Sequence, residues 1–113
     1  MANQRDLENF TICVDVDDTL IRSCGTKRIP IPAIVDRVRS LHQRGASLIC
    51  WSAGGGEYAR RSAMEVGLDQ CFSHFLPKPN LMIDDQIPAQ WPMCRVLHPA
   101  SCTEDTITDA LLA

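Results

Sequence analysis

An acidic cluster follows the first apolar run of the chain. Asp15, Asp17 and Asp18 place three carboxylates within four residues. Such close like charges repel one another unless a proton or a cation is present. An all-oxygen donor set favours Mg²⁺, which takes one or two carboxylates and keeps positions for water and substrate phosphate. The cluster therefore predicts a magnesium site, and Asp84 and Asp85 are candidates for the remaining ligand.

The spacing of two between Asp15 and Asp17 fits phosphoryl transfer. One carboxylate attacks phosphorus while its neighbour protonates the departing oxygen. The Ser52 hydroxyl and the backbone of the glycines at 54–56 are candidate hydrogen-bond donors to phosphoryl oxygens. Lys78 would offset the negative charge that the carboxylates bring to the site.

Predicted strands end at most of these residues. Short apolar runs indicate a strand before Asp15, a second before Ser52, a weaker third before Lys78 and a fourth before Asp84. In order, these runs are Phe10–Val14, Ala46–Trp51, Cys71–Leu76 and Leu81–Ile83. The carboxyl ends of parallel strands meet at one edge of a sheet, so the residues that follow them are expected to converge there.

Helical patterns alternate with these strands. Apolar residues recur at helical spacing from Ile34 to Leu41 before Gly45, and a second helix is predicted from about Glu57 to Val66 before Gly67. The other predictions are a turn-rich loop from Ser23 to Pro32, a last strand at Cys94–Leu97, and a closing helix at 103–112 with Thr103 as N-cap. The alternation predicts an α/β fold with a three-layer, Rossmann-like parallel sheet and right-handed crossovers.

Bulk properties narrow the class of protein. A chain of 113 residues suits one domain, 1–113, and its net charge of −3 disfavours nonspecific nucleic-acid binding. No apolar run is long enough to span a membrane, and Met1–Asn9 lacks the apolar core of a secretory signal. We therefore expect a cytoplasmic protein whose six cysteines are reduced thiols.

Simpler interpretations exist for each of these residues. The acidic cluster could be an exposed turn, whereas a calcium loop is disfavoured because Leu20 and Thr26 replace its glycine and terminal glutamate. Ser52 could merely form a turn, Lys78 could be solvated, and the Asp84-Asp85 pair could cap a turn. Taken together, their order along the chain favours a functional site.

The basic residues of the first loop receive no functional role. Arg22, Lys27 and Arg28 could steer an anionic substrate, but a solvated basic turn is the commoner explanation. We therefore predict that these three side chains are solvated.

The motifs resemble those of the haloacid dehalogenase superfamily. The run Asp15-Val16-Asp17-Asp18-Thr19 resembles its first motif, DxDxT, while Ser52 resembles the second, Lys78 the third and Asp84-Asp85 the fourth. Their order agrees with that family, and the resemblance covers roughly residues 10 to 98.

The resemblance implies a magnesium-dependent phosphatase. Asp15 would form an aspartyl-phosphate and ligate magnesium, and Asp17 would act as general acid and then as base and offer its backbone carbonyl to the metal. The implied substrate-binding residues are Thr19, Ser52, Ala53, Gly54 and Lys78, and the implied metal ligands are Asp15, Asp17, Asp84 and Asp85. Which member of the Asp84-Asp85 pair would contact the metal stays open. A halide leaving group needs no protonation, so the presence of Asp17 favours cleavage of phosphate esters over cleavage of carbon–halogen bonds.

The resemblance also implies a core without a cap domain, because neither loop after the first two strands has room for an insertion. The substrate would be a phosphorylated small molecule or macromolecule, and a homo-oligomer could cover the open site. Two alternatives remain: a phosphotransferase, and a noncatalytic binding or regulatory module of the same fold. Phosphoreceiver domains combine similar residues, but their acceptor aspartate follows a later strand, and here that strand ends in Ser52.

Overall fold

A three-stranded parallel sheet lies at the centre of the amino-terminal part of the molecule. The computed structural model describes residues 5–112. Its strands β1 (Thr11–Asp15), β4 (Ser47–Ser52) and β5 (His74–Pro77) are arranged in the order β1-β4-β5. The predicted α/β class, with a parallel sheet, is confirmed for these three strands.

Two helices connect the sheet strands. Helix α1 spans Pro32–Gln43 and helix α2 spans Gly56–Glu65. Pro32 presets the backbone of the first turn of α1. Gly45 and Gly67 follow the two helices with φ of 93° and 74°, a left-handed conformation that glycine adopts without steric cost. Both predicted helix stops are confirmed.

One face of the sheet is buried and the other is more exposed. Leu48, Cys50 and Ser52 alternate along β4 as buried residues, and Val14 is buried opposite Cys50. Cys13, on the opposite face of β1, is exposed. Helix α2 contacts the buried face, where the Cys50 thiol lies 3.7 Å from the Ala59 carbonyl.

A β-hairpin replaces the loop that the sequence predicts between the first strand and the first helix. Strands β2 (Ile21–Cys24) and β3 (Lys27–Pro30) pair antiparallel, with Cys24 opposite Lys27. The loop prediction for Ser23–Pro32 is therefore wrong over most of its length. Only Gly25 and Thr26 connect the strands, and Gly25 has φ of 64°, as a tight hairpin turn requires.

The chain divides into two compact units, the first ending at Lys78 and the second beginning at Pro79. In the second unit, the strands predicted at Leu81–Ile83 and Cys94–Leu97 are wrong, because neither range forms a strand. Ile83 and Val96 are 94% and 92% exposed. Each run is short and flanked by prolines, and an apolar run becomes a strand only when a neighbouring strand takes its backbone hydrogen bonds.

The second unit ends in helix α3 (Glu104–Leu112). The Thr103 hydroxyl accepts a hydrogen bond from the Thr106 backbone N–H at 3.1 Å, so the predicted N-cap is confirmed. Within residues 5–112, no helix has the length and apolar character needed to cross a membrane. Positions 1–4 and 113 lie outside the described residues. The single-domain prediction includes all of these positions, and the predicted polar start at Met1–Asn9 includes the first four.

The buried face of β4 leads to a stability prediction. Leu48 is 1% exposed, whereas Leu81 is 77% exposed. Leu48→Ala should lower the free energy of unfolding by about 2–5 kcal/mol, because it removes buried apolar surface and leaves a cavity. The matched change Leu81→Ala should cost less than about 0.5 kcal/mol. Urea unfolding of both variants measures the difference, and equal losses would contradict the assigned burial.

The burial of Cys50 leads to a prediction about thiol reactivity. Burial, with a smaller contribution from the nearby Asp15 charge, raises the pKa of the Cys50 thiol to about 12. At pH 8 roughly one such thiol in 10⁴ is ionised, and only the thiolate reacts with iodoacetamide. We expect Cys50 to be alkylated at least about 10³-fold more slowly than exposed Cys94, and faster as the pH rises towards 12. Peptide mapping by mass spectrometry measures both rates, and similar rates at pH 8 would be inconsistent with this assignment.

Candidate active site

A tight turn after β1 presents the acidic cluster. The Val16 carbonyl accepts hydrogen bonds from the backbone N–H groups of Thr19, Leu20 and Ile21 at 3.2, 2.9 and 3.1 Å. Val16, Leu20 and Ile21 are at most 1% exposed, which anchors the turn in the core. Asp17 and Asp18 are exposed on the same turn. Asp18 has φ of 61°, a conformation that aspartate tolerates better than most residues.

Asp15, the last residue of β1, is contacted by two of the predicted site residues. The Lys78 ammonium lies 3.1 Å from Asp15 Oδ1, and their side chains are 41% and 32% exposed. The Thr19 hydroxyl donates to Asp15 Oδ2 at 3.2 Å. The structure thus brings together Asp15, Thr19 and Lys78, which come from the first strand, the turn after it and the residue after β5.

Ser52 joins the ends of two strands. It is 1% exposed, and its carbonyl accepts hydrogen bonds from the Gly55 N–H at 3.1 Å and the Lys78 N–H at 2.9 Å. Its hydroxyl oxygen accepts from the Gly54 N–H at 3.0 Å. A serine hydroxyl has one proton of its own to donate, so Ser52 keeps the capacity to donate to a phosphoryl oxygen.

The loop after β4 is held close to its neighbours. A Cβ at Gly56 would lie 2.8 Å from the Phe75 carbonyl oxygen, so only glycine fits there without a backbone shift. The Gly54 N–H, a predicted phosphate donor, donates to Ser52 in this structure. Ala53, another predicted substrate-binding residue, is exposed in the turn between β4 and α2. The glycines therefore have a packing role that the sequence interpretation did not include.

Asp17 is linked to helix α2 and to the hairpin by a chain of hydrogen bonds. The Tyr58 hydroxyl of α2 donates to Asp17 Oδ1 at 2.6 Å. Arg28 of β3 donates to the Tyr58 hydroxyl at 2.8 Å, and its guanidinium carbon lies 5.3 Å from the centre of the Tyr58 ring. The three side chains thus connect the acidic turn, the hairpin and the helix.

Arg28 has further partners on the same helix. Its guanidinium donates to the Ser62 hydroxyl at 3.0 Å and to the Glu65 carboxylate at 3.1 Å. The hydrogen bond with Tyr58, with a smaller contribution from Glu65, raises the pKa of Arg28, which stays a cation. The solvated-turn prediction is therefore wrong for Arg28, while Arg22 and Lys27 are exposed as predicted.

A cleft of about 320 Å³ lies beside this chain of hydrogen bonds, lined by Arg28, Tyr58, Arg61, Ser62 and Glu65.

Tyr58 was not among the residues predicted from the sequence. It is the only tyrosine in the chain, but its role depends on contacts with residues 30 and 41 positions away. No local pattern signals such contacts, so only the tertiary structure reveals them.

The predicted metal ligands are divided between the two units of the chain. Within residues 5–112, no three or more His, Cys, Asp or Glu side chains are grouped so as to hold a metal ion. In the first unit, Asp15 offers its carboxylate and Asp17 its backbone carbonyl, and Mg²⁺ needs only one or two carboxylates because water and phosphate complete its shell. This donor set is chemically suited to Mg²⁺. Asp84 and Asp85 belong to the second unit, where Asp84 Oδ1 accepts from the Gln86 N–H at 2.9 Å, as in the turn-capping alternative.

Comparison with known proteins identifies one family. The family model described as "Protein of unknown function (DUF705)" matches residues 3–80, which include Asp15, Asp17, Ser52 and Lys78. No curated protein and no solved structure matches the chain. Because the matched range covers more than half of the 113 residues, the chain belongs to the DUF705 family.

Proposed function

We propose that this protein is a magnesium-dependent phosphohydrolase of the haloacid dehalogenase type that cleaves phosphomonoesters through an aspartyl-phosphate on Asp15. The observation that supports this best is the contact between Asp15 Oδ1 and the Lys78 ammonium at 3.1 Å. The two residues lie at the ends of different strands, yet they meet at one edge of the sheet. A carboxylate held beside a cation at a strand end suits attack on an anionic phosphate.

The first step of the proposed reaction transfers the phosphoryl group to the enzyme. An oxygen of Asp15 attacks phosphorus, and the bond from phosphorus to the leaving oxygen breaks. The electron pair stays on the leaving oxygen, which takes a proton from the Asp17 carboxyl group and departs as an alcohol. Lys78 and the Ser52 hydroxyl would stabilise the charge on the phosphoryl oxygens.

The second step restores the enzyme. Asp17, now a carboxylate, takes a proton from water while the water oxygen attacks phosphorus of the aspartyl-phosphate. The bond from phosphorus to the Asp15 oxygen breaks, which releases inorganic phosphate and returns Asp15 to a carboxylate. The Asp17 carboxyl group has then regained the proton that it gave up in the first step.

We include Mg²⁺ in the proposed mechanism because the acidic turn offers the oxygen ligands that this ion prefers. Asp15 would hold the ion through its carboxylate and Asp17 through its backbone carbonyl, with water and substrate phosphate completing the coordination. When bound, Mg²⁺ neutralises charge on the phosphate and so lets two carboxylates approach an anionic substrate. Thr19, which donates to Asp15 at 3.2 Å, would fix the orientation of the nucleophile.

The proposed fold is the Rossmann-like, three-layer core of that superfamily without a cap domain. In support, the chain between β1 and α1 contains only the tight turn and the hairpin. The substrate would be a phosphorylated small molecule or macromolecule, since a site without a cap is open to either. A second copy of the chain could cover such a site.

Asp15→Asn tests the nucleophile directly. With Mg²⁺ and a chromogenic aryl phosphate, the wild-type protein should release phosphate, and the variant should be slower by at least about 10³-fold because an amide is a poor nucleophile. Chelation with EDTA should abolish the wild-type activity, and added Mg²⁺ should restore it. Steady-state phosphate release measures all three.

Asp18→Asn is the matched control. It makes the same chemical change on the same turn, and asparagine also tolerates the φ of 61° found at that position. This variant should keep activity within a few-fold of wild type. Activity that survives both Asp15→Asn and EDTA would refute the proposal. Magnesium binding by calorimetry without product from a broad panel of phosphate esters would instead favour the noncatalytic alternative.

A further inference from the structure

We infer that Tyr58 and Arg28 form a positioning relay for Asp17, and that this relay governs protonation of the leaving group. The inference rests on the proposed function, in which Asp17 is the general acid. The relay consists of two hydrogen bonds, from Arg28 to the Tyr58 hydroxyl at 2.8 Å and from that hydroxyl to Asp17 Oδ1 at 2.6 Å.

The direction of the relay follows from the chemistry of its members. A guanidinium only donates hydrogen bonds, so the Tyr58 oxygen must accept from Arg28. A phenol has a single proton, and the short contact directs it to Asp17 Oδ1. With Oδ1 serving as acceptor, the proton that Asp17 delivers to the leaving oxygen is carried on Oδ2. The relay thus assigns different tasks to the two oxygens of one carboxyl group.

The relay is held from several sides. Arg28 is fixed by the Ser62 hydroxyl at 3.0 Å and by Glu65 at 3.1 Å, so it is not free to swing into solvent. A Cβ at Gly54 would lie 2.9 Å from Tyr58 Cδ2, so the missing side chain at Gly54 makes room for the ring. The loop after β4, the helix and the hairpin therefore all contribute to the position of the Tyr58 hydroxyl.

A loss of this relay has a specific kinetic signature. General acid catalysis matters for esters whose leaving group is a poor one and matters little when the leaving group departs readily without a proton. A variant that misplaces Asp17 should therefore lose activity selectively, whereas a variant that is merely less folded loses activity on every substrate. The ratio kcat/KM reports the first chemical step, in which Asp17 acts as the acid.

Tyr58→Phe is the direct test, because it removes the hydroxyl and keeps the ring. With phenyl phosphate, whose leaving group is poor, kcat/KM should fall by about 10- to 100-fold. With 2,4-dinitrophenyl phosphate, whose leaving group is good, it should fall by less than about 3-fold. Asp17→Asn should show the same selectivity to a larger degree, since it removes the acid itself.

Arg28→Met removes the start of the relay and should show the same selectivity as Tyr58→Phe. The matched control is Arg60→Met on α2, the helix that carries Tyr58, where Arg60 pairs with Glu57 at 2.7 Å outside the relay. It should leave both kcat/KM values within about 2-fold of wild type. Thermal melting of each variant checks that it is folded.

Equal losses on the two substrates, or a gain of activity in Tyr58→Phe, would overturn the relay while the proposed function stands. A wild-type protein inactive on both esters would refute the proposed function, and the relay with it.

Discussion

The hydrogen bonds of buried Ser52 hold the ends of β4 and β5 together and so position the other residues of the site. A buried carbonyl and hydroxyl must find partners, and here all the partners belong to the loop after β4 or to Lys78. The bond from the Lys78 N–H to the Ser52 carbonyl, 2.9 Å long, fixes the backbone where β5 ends. Because the Lys78 backbone is fixed, its side chain is directed towards Asp15. Its ammonium lies 3.1 Å from the Asp15 carboxylate although the side chain is partly exposed.

The two carboxylates of the acidic turn lie in different surroundings although only Val16 separates them. Asp15 ends a strand and faces a cation, whereas Asp17 is exposed and accepts a hydrogen bond from a neutral phenol. Val16 between them is buried, and its carbonyl closes the turn. A residue anchored in the core thus directs its two neighbours towards different partners. Under the proposed function, this difference separates the nucleophile from the acid.

Local patterns were enough to predict the elements that depend on local sequence. The strand before Asp15, the strand before Ser52, both helix stops and the Thr103 cap follow from runs, spacings and capping residues. The strand predicted at Leu81–Ile83 was wrong because strand formation depends on a partner that the run itself does not specify. Gly25 indicated a turn at the position where β2 and β3 connect, but the prolines that follow it favoured a loop instead of a second strand. The contact between Tyr58 and Asp17 had no signal, since it joins residues 41 positions apart.

Chemical trapping of the enzyme during turnover tests the proposed aspartyl-phosphate on Asp15 most directly. The protein, mixed with phosphate ester and Mg²⁺, would be quenched and treated with borohydride, which reduces an acyl-phosphate to an alcohol, and then mapped by mass spectrometry. If Asp15 is the nucleophile, residue 15 is converted to homoserine only when substrate is present. Phosphate release without any modification of Asp15, or trapping at another carboxylate, would contradict it.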